Sequence, residues 1–195
     1  MEYQGFVGSN YESQSVTADQ EQTVNWFFER MEGQGATSRS ALYPTPGVEA
    51  IVTAASGPGR AHFFMDSMEY AVIGMTFWEI SQAGAMTNRG TVAIGPDPAT
   101  IASNGDGGGQ LFITSGSNGY CYDVTSHVFT QVAALNGKAT MGDHLDGYFL
   151  ALDANTSTLY ISDLLDGTTW DPTQFAQRSI AADLWVSMRV LNRFI

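Results

Sequence analysis

The 195-residue chain contains one cysteine, Cys121, and one lysine, Lys138. A single cysteine excludes an internal disulfide framework and leaves the redox compartment open. Basic residues of any kind are scarce: Lys and Arg total 8 against 20 Asp and Glu, a formal net charge of −12. That balance argues against a surface that grips nucleic-acid phosphates. A repelling surface can still be one that DNA slides past without sticking. No run of about 18 apolar residues occurs, so no helical membrane span is expected. The acidic, glutamine-rich N-terminus also lacks the basic and apolar parts of a signal peptide. The resulting expectation is a soluble chain made in the cytosol.

Glycine, by contrast, is abundant, with 21 residues, while charged residues make up only 14%. Gly, Thr, Ser, Asn and Asp spaced around short apolar runs are the composition of an all-β protein rich in turns. The acids are distributed unevenly. All eight Glu lie at or before Glu79, whereas the stretch from Thr91 to Gln177 has nine Asp and only one Lys or Arg. Asp bonds to its own nearby backbone and favours turns. The composition therefore shifts from a mixed N-terminal part to a body of strands and turns.

Residues 1–47 read as an N-terminal arm and clasp, and 48–195 as a separate body. The first 24 residues are polar and extended in character. Val24 to Phe28 is a strand candidate, since Trp26, Phe27 and Phe28 favour strand over helix. The Gly33–Gly35 region is expected to turn, and Pro44, Pro46 and Gly47 end the unit.

In the body a degenerate repeat emerges. "YAVIGMTFWEIS" from Tyr70, "QLFITSGSNGYCYDV" from Gln110 and "YFLALDANTSTLYISDL" from Tyr148 each read as strand, short turn, strand, with starts 40 and 38 residues apart. A period of roughly 40–50 residues suits a four-stranded β-propeller blade. Further strand candidates are Ile51 to Ala54, Ala61 to Met65, Thr91 to Ile94, Thr100 to Ala102, Phe129 to Ala133 and Ala139 to Gly142. The expected fold is an all-β propeller of about three blades, its ring incomplete in this chain, behind an extended arm. A β-sandwich with regular hairpins is the alternative. "ADLWVSMRVLNRFI" reaches an apolar Phe194 and Ile195 where a fourth inner strand would begin, so the chain reads as the front of a longer protein.

Several stretches carry possible chemistry. "ISDLLDGTTWDP" almost spells the sialidase Asp-box, S-x-D-x-G-x-T-W, with Gly167, Thr169 and Trp170 in place but Leu165 where an aspartate belongs. Such boxes are turns remote from glycosidase catalysis. The expectation is a structural turn in which Asp163 or Asp166 accepts backbone N–H bonds, Asp166-Gly167 bends tightly, and Trp170 packs on a blade. "SNGDGGGQ" lacks the lysine and helix of a phosphate loop and has only Asn104 and Asp106 as obvious calcium oxygens, so it reads as a loop between strands. "GDHLDG" gathers Asp143, His144 and Asp146, which could bind metal or exchange protons. Without a second matching histidine or any cysteine, it reads as a solvated turn. Cys121, between Tyr120 and Tyr122 in a strand, reads as a packed residue. No catalytic residue, metal or cofactor is expected.

The stretch "SQSVTADQEQTVNWFFERMEGQGATSRSALYPTPG" resembles the beginning of the packaged-DNA stabilisation, or tail hub, proteins of short-tailed bacteriophages. The carrying residues are Gln22, Asn25, Phe27 and Glu29 of a "Q-x-x-x-N-x-(aromatic)-E"-like motif, then Leu42, Thr45, Pro46 and Gly47 of an "L-x-x-T-P-G" end. Ser162, Asp163, Asp166, Gly167 and Trp170 match the family's "S-D-x-x-D-G-x-x-W" turn. The resemblance spans essentially the whole chain, on motifs that are structural; family chains continue further.

The resemblance implies a structural virion protein of the phage neck or tail, not an enzyme. Such hubs close the portal channel after DNA packaging, stabilise the packaged DNA and attach tail components. Implied partners are further copies in a ring, a hexamer by family resemblance, with the portal and head–tail adaptor proteins, the tail needle, and a tail fibre or tailspike. DNA would pass through the channel without sequence-specific binding, and no membrane is involved. Asn25, Trp26, Phe27, Phe28 and Tyr43 would anchor the arm on a neighbour. The implied location is the virion, assembled in host cytoplasm. Two rivals remain: a carbohydrate-binding or glycosidase-like propeller stacking sugars on Trp78, Tyr120, Tyr148 and Trp170, and a WD40- or kelch-type scaffold, whose recurring signatures this chain lacks.

Overall fold

Along Gln110–Ser115 three successive side chains, Leu111, Phe112 and Ile113, are fully buried. Neighbouring side chains on a strand point to opposite faces, so both faces of this sheet must be covered. Leu111 and Ile113 pack with Tyr70, Val72 and Phe77, whereas Phe112 packs with Phe149 and Trp170. That double burial explains why the segment reads as a continuous apolar run and not as an alternation.

The computed structural model describes residues 25–30, 40–47, 49–50, 52–53, 57–95, 97–105, 107–177 and 183–191. The chain divides into two compact units, Met1–Ala50 and Ile51–Ile195. In the first, β1 (Trp26–Arg30) pairs antiparallel with β2 (Ser40–Pro44). In the second, three four-stranded antiparallel sheets follow one another among the described residues. They comprise β3 (Gly59–Met65), β4 (Met68–Ile73), β5 (Thr76–Ser81) and β6 (Met86–Thr91); then β7 (Thr100–Ser103), β8 (Gln110–Ser115), β9 (Asn118–Asp123) and β10 (Phe129–Val132); then β11 (Met141–Leu145), β12 (Tyr148–Asp153), β13 (Thr158–Ile161) and β14 (Phe175–Gln177). Every sheet is an up-and-down meander in sequence order.

The tight turns follow from local chemistry. Asp66-Ser67, Gly116-Ser117 and Asp146-Gly147 each place both residues at positive φ. This is the two-residue geometry whose twist matches that of the flanking strands. Asp, Gly and Ser tolerate it, so the sequence fixes each hairpin register at its turn.

The segments beginning at Tyr70, Gln110 and Tyr148 fall in β4, β8 and β12, the second strand of each sheet. They do not share one sheet, which removes the sandwich alternative. The first strands lie together: β7 packs against both β3 and β11. Successive sheets joined at their first strands and packed face to face are blades of a β-propeller, and among the described residues no ring closes. Between the first two sheets the packing is aromatic, with Phe77 centred 5.2 Å from Tyr122 and 5.4 Å from Phe129. On the far face of the third sheet, Leu150, Leu152 and Leu159 are covered by Trp185, Met188 and Val190.

Some boundaries differ from expectation. Strand β6, "MTNRGT", and the three-residue β14 were not anticipated, because outer strands are partly exposed and carry little apolar signal. Of Thr91 to Ile94 only Thr91 is strand, and of Ala139 to Gly142 only Met141 and Gly142. Ala133–Leu135 forms a short 3-10 turn after β10. The arm over residues 1–24, the Gly33–Gly35 turn, Asp106, and Phe194 with Ile195 lie outside the described residues; of Ile51 to Ala54 only residues 52 and 53 are described, and neither is strand.

Candidate functional site

The turn at residues 162–170 is built by a chain of local hydrogen bonds. The Ser162 hydroxyl accepts from the Phe149 N–H at 2.9 Å and donates to the Asp163 carbonyl at 2.8 Å. The Asp163 N–H donates to Thr169 O at 3.0 Å, closing the loop. Asp166 does the side-chain work: its Oδ1 accepts from the Thr168 N–H at 2.8 Å and hydroxyl at 2.6 Å, and Oδ2 from the Thr169 hydroxyl at 2.8 Å. Burial opposes its charge, but those bonds prevail and hold its carboxyl below the ordinary carboxylate range.

Gly167 and Trp170 turn this loop into a staple. The Gly167 N–H donates to the Gln110 side-chain oxygen at 2.7 Å, across to the second sheet. A Cβ at Gly167 would lie 2.8 Å from the Phe149 ring and 2.9 Å from the Cys121 sulfur, so only glycine fits the approach. The Trp170 indole N–H donates to Gly167 O at 2.8 Å, and its ring, 8% exposed, sits 5.1 Å from that of Phe112. Cys121 is buried in the same cluster; burial first, then Asp166 and Asp123, pushes its thiol up to about 12.

The aromatic residues of the N-terminal unit form a small hairpin face. Phe27 and Tyr43 are cross-strand partners with rings stacked 5.5 Å apart. Trp26 and Phe27 are 49% and 43% exposed. Asn25 takes a left-handed φ of 61°, and its carbonyl accepts from the Thr45 N–H at 2.9 Å and hydroxyl at 3.1 Å. Phe28 lies in β1 opposite Leu42; its side chain is outside the described set. The hairpin and the turn belong to different units.

Three polar arrangements escaped sequence reading. Glu79 is buried yet accepts a two-pronged ion pair from Arg89, at 2.8 and 3.2 Å. It also accepts from the Tyr122 hydroxyl of the next sheet. With that proton committed to Glu79, His127 Nδ1, 2.8 Å from the same hydroxyl, must be the donor, which fixes its tautomer. Burial works against the Glu79 charge, but the bonds from Arg89 and Tyr122 hold its carboxyl below the usual range. Arg60 forms a second inter-sheet tie, donating to Ser115 Oγ at 2.7 Å and to the carbonyls of Ala93 at 3.2 Å and Asp97 at 3.1 Å.

The third is Asp143. Instead of sitting in a solvated turn it is buried in β11, and its Oδ2 accepts from the Val190 N–H at 2.9 Å. With the Ser157 hydroxyl, which accepts from the Trp185 N–H at 2.7 Å, it pins residues 183–191 to the third sheet. His144 Nδ1 is 4.0 Å from Asp143, too far for a hydrogen bond. Among the described residues no group of three His, Cys, Asp or Glu side chains could hold a metal ion. Of the aromatics considered for sugar stacking, Tyr120 and Trp170 are buried. The signals available in sequence were an acid inside an apolar strand, "FWEIS", and an arginine at a strand start; each implies a partner without naming it.

Face-to-face meanders stapled by a glycine–aspartate turn define the body as β-propeller blades. The chain belongs to the phage-stabilisation family described as "Bacteriophage P22 Gp10, beta-propeller", whose model matches residues 8–195. Membership places it among bacteriophage structural proteins. Among solved structures it is similar to the Neurospora crassa Pan2 WD40 domain, at 12% identity and TM-score 0.43, over 62% of this chain and 36% of that one. It is also similar to PorZ, a surface component of the type-IX secretion system of Porphyromonas gingivalis, at 12% identity and TM-score 0.33, over 64% of this chain and 23% of that one. The chain thus spans little more than a third of the first and under a quarter of the second. No curated protein matches in sequence.

Proposed function

We propose that this protein is a neck component of a short-tailed phage, a hub that closes the portal channel after packaging, retains the DNA and carries tail components. The observation carrying the reading is family membership over residues 8–195. The physical character of the body agrees with it. The first strands of all three sheets border one cleft, whose lining includes His62, Thr100 and Asp143. In a ring these strands would face the passage, and a chain of net charge −12 repels phosphates, so DNA slides past without binding. The role is structural and non-enzymatic.

In this reading the exposed faces of Trp26, Phe27 and Tyr43 seat the N-terminal unit on a neighbouring copy or on the portal-side adaptor. A two-stranded hairpin buries too little to be stable alone, and aromatic faces are the usual anchors of an interface. The virion is the expected location. The test is particle incorporation. Protein lacking residues 1–23, or carrying Trp26→Ala with Phe27→Ala, should fold as judged by its near-ultraviolet spectrum yet be missing from purified particles. Incorporation of both variants at wild-type level would contradict the reading.

A further inference from the structure

One end of the propeller body differs sharply from the other. Ala99 N–H donates to Arg60 O at 3.2 Å near the starts of β7 and β3, and Ser103 Oγ meets Met65 Sδ at 3.1 Å at their ends, so the two strands run the same way. The Gly142 N–H reaches the Thr100 hydroxyl at 2.9 Å, which aligns the start of β11 with that of β7. The turns after every first and third strand therefore share one end of the body. That end carries Asp66, Asp123, Asp146, Asp163, Asp166 and Asp171, and the described residues of its turns include no Lys or Arg. Arg60 and Lys138 are at the opposite end, and Arg89 and Arg189 lie outside these turns.

At this acidic end two leucines stand out. Leu164 and Leu165 are 56% and 39% exposed at the tip of the 162–170 turn. Leu165 holds a left-handed φ of 58°, pinned by its N–H to Gly147 O at 2.9 Å. Both leucine side chains reach over Gly147, and Leu165 also reaches Gly107 of the second sheet's turn. The pair is thus an apolar knob laid across two blades, with the half-exposed Tyr148 beside it. Apolar surface held in the open and ringed by one sign of charge is the pattern of a protein-docking surface.

We propose that this end of the body docks a basic protein segment, with apolar side chains seated on Leu164 and Leu165 and Lys or Arg facing the ring of aspartates. Charge sets the occupant: phosphates and acidic surfaces are repelled, whereas a cationic segment is steered in. Asp123 and Asp171 each bond within their own turn through Oδ1, at 2.6 Å to the Ser126 N–H and 2.8 Å to the Thr173 N–H. Their Oδ2 atoms take no part in those bonds. The same bonds hold both carboxyls below the ordinary range, so the charge persists well into acid. This docking surface is independent of the channel reading.

The test uses the full chain and synthetic peptides in fluorescence anisotropy. A peptide alternating Lys with Leu should bind, and a Lys–Ser peptide, a Glu–Leu peptide and duplex DNA should not. Affinity should fall about tenfold from about 50 to about 300 mM salt. It should fall about tenfold again in Leu164→Ser and in the Asp123→Asn, Asp171→Asn double variant. Asp97→Asn, at the opposite end, should change nothing. All these positions are on the surface, and thermal melts verify that the variants fold. Equal binding by the Lys–Ser peptide, no binding by any peptide, or an equal loss in Asp97→Asn would overturn the proposal.

Discussion

The Gly167 backbone N–H donates to the Gln110 side-chain oxygen at 2.7 Å, tying the third sheet's long turn to the start of the second sheet's second strand. Gln110 Oε1 also lies 3.4 Å from the Asn104 amide, so a single side chain orders both the glycine loop and the staple. Gln110→Ala should leave the Gly167 N–H unpaired and cost about 1–3 kcal/mol. Gln110→Glu keeps an acceptor and should cost less. Urea unfolding of the two variants makes the comparison.

Gly167→Ala addresses the same contact by volume. Its methyl would meet Phe149 and Cys121 inside 3.0 Å, neither of which is a flexible chain end. The expected destabilisation is about 1–3 kcal/mol. Trp170→Ala, which empties the space beside Phe112, should cost about 3–5 kcal/mol. A loss near zero in the Trp170 variant would mean that the two sheets do not depend on the staple.

Glu79 links stability to pH. Its carboxyl is held below the ordinary value of 4.5 in the folded state. A lowered folded value stabilises the protein above the unfolded pKa, and that part is lost as pH falls through the folded value. Unfolding midpoints followed from about pH 6 down to about pH 3 should drop more steeply in wild type than in Glu79→Gln. At neutral pH Glu79→Gln leaves the partly exposed Arg89 without its counter-charge and should cost about 1–3 kcal/mol.

Cys121 supplies a probe of opening. A buried thiol with its pKa pushed up to about 12 has almost no thiolate at neutral pH. Its labelling by a maleimide should be slow in the native state and should accelerate in Trp170→Ala, which loosens the cluster around it. Rapid labelling of the wild type would show that this cluster is not closed.

The architecture was legible where strands were buried on both faces or turns had glycine or aspartate. The segments from Tyr70, Gln110 and Tyr148 announced the three blades, because "YAVI", "LFIT" and "FLAL" are apolar on both faces. Of the outermost strands, that of the second sheet was legible from Phe129, whereas "MTNRGT" and "FAQ" are largely exposed and carry no pattern. Of the turn, Gly167 and Trp170 were visible as a motif, whereas Gln110 is 57 residues away and reaches it only through the fold. Asp143 read as a turn acid, and Glu79 was not singled out. Their partners, Val190 and Tyr122, are 47 and 43 residues distant, beyond any local signal.

The central claim is that this protein retains packaged DNA. Heads assembled without it should be purified, supplied with the wild-type protein or left alone, and assayed for nuclease-accessible DNA over time. Loss of DNA from the bare heads, halted when the protein is added back, is the predicted result. Bare heads that keep their DNA as long as complete particles would contradict the account.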